Sequence, residues 1–197
     1  FLGFFSCGYQ LGFMTAHFPA FITEACGAIT PGGFLYSLGI TSTSTLGAAA
    51  LSVIGLTNIA GTLAAGYLGN RYSKKNLLAA VYLARALVTF GFISFPITPL
   101  SVLIFSALMG MLWLATVPLT SGLVAYIFGL RFMGTLYGIV FFSHQLGSFI
   151  GIWLGGRMFD VYGSYTLVWW IGVGVGLFSA LVHLPIREKP TVMLGAN

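Results

Sequence analysis

The chain has 197 residues, 58% of them apolar and 6% charged, with eight Lys or Arg against three Asp or Glu and a formal net charge of +5. A soluble domain carries roughly 25% charged residues. A mean hydropathy of +0.99 leaves nothing from which to build a water-facing shell, which excludes a soluble globular fold.

Uncharged runs cover 1–23, 25–70, 86–130, 132–156 and 161–186, and a membrane crossing needs roughly 20 apolar residues. Taken in chain order, runs and breakers predict helices near 1–22, 45–68, 77–95, 101–128, 135–156 and 165–185. These form an all-α six-helix transmembrane domain over 1–186, followed by a cytoplasmic tail at 187–197. The first helix is apolar from Phe1 onward, without Met or a charged leader, and reads as a truncated N-terminus rather than a signal peptide. Cys7 falls inside it and Cys26 just after it, and neither has metal-ligand spacing around it. Pro31, Gly32 and Gly33 mark the first loop, Pro96 and Pro99 the third turn, and Gly163 with Ser164 the fifth. Pro19 and Pro118 lie within helices, where they should kink them.

An even number of crossings puts both ends of the chain on one side. Arg71, Lys74, Lys75, Arg131, Arg187 and Lys189 gather there, and Arg157 is the one basic residue in the opposite loops. The positive-inside rule makes the six-charge side cytoplasmic. The basic residues stand singly at the ends of apolar runs, which is a topological signature and excludes a nucleic-acid partner. Tyr162, Tyr165, Trp169 and Trp170 fall where the last helix should meet the outer interface. Small residues recur at packing intervals: Gly8 and Gly12, Gly134 and Gly138, Gly172 and Gly176, and Gly147, Gly151 and Gly155. In lipid such rows let backbones approach closely.

After the second helix the chain reads Gly66-Tyr67-Leu68-Gly69-Asn70-Arg71-Tyr72-Ser73-Lys74-Lys75. Gly66 and Gly69 allow close helix contact, while Arg71, Lys74 and Lys75 complement the carbonyl end of that helix. Gly66, Asn70 and Ser73 share their spacing with Gly156, Asp160 and Gly163, after the fifth helix. Three crossings separate the copies, as a 3+3 inverted repeat requires.

The loop resembles the G-x-L-[GAS]-[DN]-R-[FY]-x-[RK]-[RK] motif of the major facilitator superfamily (MFS). The resemblance extends through Gly8 to Phe13, Arg131 to Gly138, and Phe141-Phe142-Ser143-His144-Gln145. It implies the C-terminal half-bundle of a twelve-helix carrier in a bacterial inner membrane, partnered by an N-terminal six-helix half, a small solute and a coupling ion. Asn70 stands where the family usually has Asp. Within the superfamily the chain is most similar to bacterial relatives of the monocarboxylate porters. Animal members of that group carry an acid and an arginine four apart on the second helix of the half, where this chain has Asn58 and Thr62. A proton-linked lactate mechanism of that type is therefore unsupported.

The resemblance also implies that the first, second, fourth and fifth helices line a central cavity and the third and sixth stand outside. On the first helix Gln10, Met14 and His17 share a face, open either to the cavity or, at His17, to the interface. Asn58 and Thr62 stack one turn apart, where an amide must find partners. Trp113, Thr116 and Thr120 form a stripe on the fourth helix. On the fifth, His144 shares the glycine stripe and reads as packing, whereas Gln145 reads as a cavity residue. Arg85 lies ten residues past Lys75, roughly 15 Å along its helix at 1.5 Å per residue, hence near mid-membrane. A charge there is a functional hypothesis by default; its alternative is a bond to carbonyls or to Asn58, and if it reaches the pathway it selects anions. Glu24, Asp160 and Glu188 fall outside the predicted spans, leaving no acid–base pair, nucleophile or metal cluster at membrane depth. No catalytic residue, metal or cofactor is expected, and the sequence points to a secondary transporter, with a self-contained six-helix channel as the alternative.

Overall fold

A computed structural model describes residues 1–191. It contains α1 (Leu2–Ala25), α2 (Phe34–Ser37), α3 (Thr43–Arg71), α4 (Lys74–Ser94), α5 (Pro99–Leu112), α6 (Thr116–Phe128), α7 (Met133–Tyr162) and α8 (Thr166–His183). Local chemistry sets several ends. Ser42 and Thr45 cap one another's backbone at the start of α3, and Thr98 and Ser101 do the same at α5, where Pro99 occupies the first turn. Gly163 closes α7 at φ 64°, a left-handed conformation that favours glycine.

Among the described residues, five rods are long and apolar enough to cross a membrane: α3, α4, α5 with α6 as one span, α7 and α8. The sixth, α1, has 24 residues and lies outside that measure. Its polar residues Ser6, Cys7 and Gln10 are buried inside the bundle.

Two differences from the sequence expectation matter for the site. The predicted helix 101–128 is interrupted at Trp113–Ala115, and the predicted helix 135–156 runs on to Tyr162, carrying Asp160 into its last turn. The expected tail is described as far as Thr191, whose amide donates to the Ile127 carbonyl at 2.7 Å; positions 192–197 lie outside the described residues.

Packing follows the small residues. α1 lies along α7 because Gly8 abuts the His144 backbone, Gly12 abuts Ser148, and Gly147 and Gly151 face the carbonyls of Phe5 and Tyr9. α3 lies along α5 in the same way, Gly61 against the Met111 carbonyl and Gly110 against Ile54 and Thr57. α4 packs on α8. First-to-fifth and second-to-fourth contacts thus correspond, and third-to-sixth contacts map onto themselves, which is the pairing an inverted repeat of three helices produces. The Gly134 and Gly138 row does not join in: among the described residues nothing beyond their own helical turn comes within 4 Å of a Cβ built at either.

At the end opposite the six-charge loops and tail, Phe18, Phe21, Phe92, Phe105 and Trp169 form one buried cluster. Phe92 and Phe105 stack there with centroids 4.1 Å apart. Trp169 and Tyr165, expected in an interfacial belt, are buried in this region, while Tyr162 and Trp170 remain exposed. Trp169 meets Phe13, Phe18, Phe92 and Phe105 edge-on there, burying its ring area between helices.

Candidate functional site

Pro118 has no N–H to offer the Leu114 carbonyl. The chain responds one turn early: Trp113 N–H turns to the Gly110 carbonyl at 3.1 Å, and Val117 N–H takes the Leu114 carbonyl at 3.0 Å. The freed Leu114 N–H donates to Asn58 Oδ1 of α3 at 3.0 Å. Thr62 donates to the same oxygen at 3.3 Å. The interruption stands halfway along the 30-residue α5–α6 span, at the depth where discontinuous helices form transporter binding sites. Trp113, Thr116 and Thr120 surround it as buried side chains, and the Thr120 hydroxyl has no partner among the described residues. Sequence reasoning missed the interruption, treating Pro118 as a simple kink; the signal was the Pro118–Asn58 combination on neighbouring helices.

Arg85 is fully buried. Its Nη1 donates to Cys7 Sγ of α1 at 3.4 Å, and Cys7 Sγ lies 3.3 Å from Thr116 Oγ1 of α6. The Tyr82 ring centroid is 5.9 Å from its guanidinium carbon. Nε and Nη2 have no partner among the described residues. Asn58, one expected partner, is engaged elsewhere by Leu114 and Thr62, and Cys7 occupies that place. Cys7 lies three residues before Gln10 on the same helical face, so the α1 stripe could have included it.

Gln10 and Met14 turn into the packed half rather than onto an open surface. Gln10 Nε2 donates to the Gly172 carbonyl of α8 at 2.9 Å, and its Oε1 has no partner among the described residues. Met14 is buried. The close α1–α7 glycine contact turns this α1 face inward. His17 is half-buried, with Nε2 2.9 Å from the Ile152 carbonyl and its ring against Phe13 and Tyr165. His144 is buried and stacked on Phe141 at 5.3 Å, while Gln145 is exposed on the side of α7 turned away from this half.

The loop motif is built differently from the expectation. Arg71 lies 4.4 Å from the Tyr67 ring, Lys74 lies 5.4 Å from the Tyr126 ring of α6, and Lys75 Nζ donates to the Leu184 carbonyl of α8 at 3.0 Å. Lys75 thus complements α8 rather than α3. Gly69 sits close to Leu119, but Gly66 and Asn70 face open space or solvent. The first turn of α4 is held by Glu188. Its carboxylate accepts from Ser73 Oγ at 2.6 Å and from the amides of Lys74 and Lys75 at 3.0 and 3.3 Å. Partial burial pushes that carboxyl up, but these hydrogen bonds and the Lys74 charge outweigh it and hold the group below its ordinary value.

The sequence matches the family model of the Major Facilitator Superfamily over residues 1–195. It is also 24% identical over 195 residues to a Bacillus subtilis (strain 168) protein named "Uncharacterized MFS-type transporter YcxA", covering 96% of this chain and 44% of that protein. The chain therefore spans less than half the length of the curated relative it matches.

Proposed function

The chain belongs to the Major Facilitator Superfamily, and we propose on that premise that it is the C-terminal half of a secondary transporter. It carries a small organic anion such as a monocarboxylate by rocking against an N-terminal six-helix half, with a coupling ion supplying the drive. The basic end faces the cytoplasm of a bacterial cell.

The observation that carries this reading is the interrupted α5–α6 span. It presents the N-terminal end of α6, the positive end of that helix dipole, beside Thr116 at mid-membrane depth. Arg85 stands behind it, one thiol away through Cys7. An unneutralised guanidinium in a low-dielectric interior favours anions at a distance without touching them. Asn58 holds the interruption open by accepting the Leu114 N–H, and Gln145 is the exposed amide on the face left to the other half.

The test is reconstitution of the whole polypeptide in liposomes with labelled small monocarboxylates, with and without a pH gradient. Asn58→Leu should lower uptake by about tenfold or more, the effect of losing a buried acceptor; Gln145→Ala should lower it less. Absence of carboxylate uptake, with the six-helix chain alone passing solute, would replace this reading with a channel.

A further inference from the structure

α4 and α8 pack closely, yet leave a surface groove of about 470 Å3 between them. The floor is short because it is alanine: Ala79 and Ala180 are buried there, and Leu83, Leu177 and Leu181 rise as exposed walls. We propose that this groove is a specific site for an anionic phospholipid, with an acyl chain in the groove and the phosphate at its basic mouth.

An acyl chain alone does not make such a site, because bulk lipid is as apolar as the walls. What distinguishes one lipid from its neighbours is the mouth. Leu184 and Asn76 line it, and Lys75 reaches across it to donate to the Leu184 carbonyl. Arg187 follows Leu184 by three residues and is exposed, as is the Asn76 amide. The carboxylate at this end, Glu188, is taken up by Ser73 and by the Lys74 and Lys75 amides. Lys74 itself lies over Tyr126 and along Gly122 on α6. Lys75 and Arg187 therefore remain for a phosphate, with Asn76 as a neutral donor, an arrangement of cations between helix ends that suits an anionic headgroup. The inference depends on membrane insertion and not on any transported substrate.

The test uses the whole polypeptide purified in mild detergent, stripped of lipid and titrated with phosphatidylglycerol or phosphatidylcholine under native mass spectrometry. Two cations at roughly fivefold each predict about a 25-fold preference for phosphatidylglycerol. Lys75→Gln and Arg187→Gln should each remove about one such factor; Arg187 is exposed and makes no side-chain hydrogen bond among the described residues, so that variant keeps the fold. Ala80→Phe, at an exposed wall position, should reduce binding of both lipids while leaving the melting temperature in lipid-free detergent unchanged. Equal affinity for the two lipids overturns the proposal, as does a preference that survives the double variant. A dimer that excludes lipid and dissociates in Ala80→Phe would also overturn it and assign the groove to a second copy of the chain.

Discussion

Arg85 and Arg71 carry the same charge in two different solvents. Arg71 is exposed at the basic end and rests on the Tyr67 ring, where water and salt screen it and the contact contributes about 0.5–1 kcal/mol. Arg85 is sealed at mid-membrane with a thiol, a ring and two unpartnered nitrogens. Placing a charge there costs roughly 2.5–3.5 kcal/mol on insertion scales. The same contrast runs through the neighbours: at the basic end groups shift by a rotamer and find water, whereas inside the half every polar atom depends on what the glycine-set helix spacing brings to it. Interior changes should therefore be large and directional, and changes at the basic end small and screened.

The largest expected effect tests the helix spacing itself. Gly8→Val drives a branched side chain into the His144 carbonyl, which is backbone and cannot rotate aside. Overpacking usually costs 1–3 kcal/mol, and a rigid neighbour puts this case at about 3 kcal/mol or more. The readout is the folded fraction by fluorescence-detected size exclusion, with Gly138→Val as the control, since Gly138 meets nothing in this half. Equal losses in both variants would mean that α1–α7 packing does not set the interior.

Next comes the asymmetry of the Arg85 contact. Cys7→Ala leaves the buried guanidinium without its side-chain acceptor, at about 2 kcal/mol. Arg85→Met removes the charge with little change in bulk and should be neutral or stabilising, because a buried polar contact replaced by apolar packing often is. Thermal unfolding in detergent reads both. If Arg85→Met proves the more destabilising, the midplane arginine is anchored by more than the thiol.

The fold was legible because hydropathy and the glycine rows act through short-range rules: length, breakers and four-residue spacing. The six rods, the repeat and the loop motif all follow from these. The interior was legible only one helix at a time. Gln10, Met14 and His17 share one helical face by spacing alone, but whether that face meets a cavity or a neighbouring helix depends on the α1–α7 distance, which Gly8 and Gly147 set together. Cys7 gained a role only when α4 brought Arg85 beside it, and Glu188 only when α8 returned it to the start of α4. Pairings at separations of 78 and 113–115 residues leave no local pattern to read.

Glu188 gives the smallest expected effect. Its carboxylate satisfies amides of the first turn of α4 from the far end of the half, acting as an N-terminal cap supplied from outside the helix. A cap of this kind contributes about 1 kcal/mol, and this one less, because the site is open to solvent. The folded state holds the Glu188 carboxyl below its ordinary value, so it binds fewer protons there than the unfolded chain does. The contribution is therefore complete above the ordinary carboxylate range of about 4.3 and disappears as pH falls through the lower folded value. Glu188→Gln should lower the melting temperature slightly at pH 7 and flatten its decline below about pH 4, whereas Glu188→Asp, one methylene shorter, should keep the slope and lose part of the height. A decline in acid equally steep in wild type and Glu188→Gln would assign it to another carboxylate, and the basic end would then be held by Lys75 and the Leu184 carbonyl rather than by the Glu188 cap.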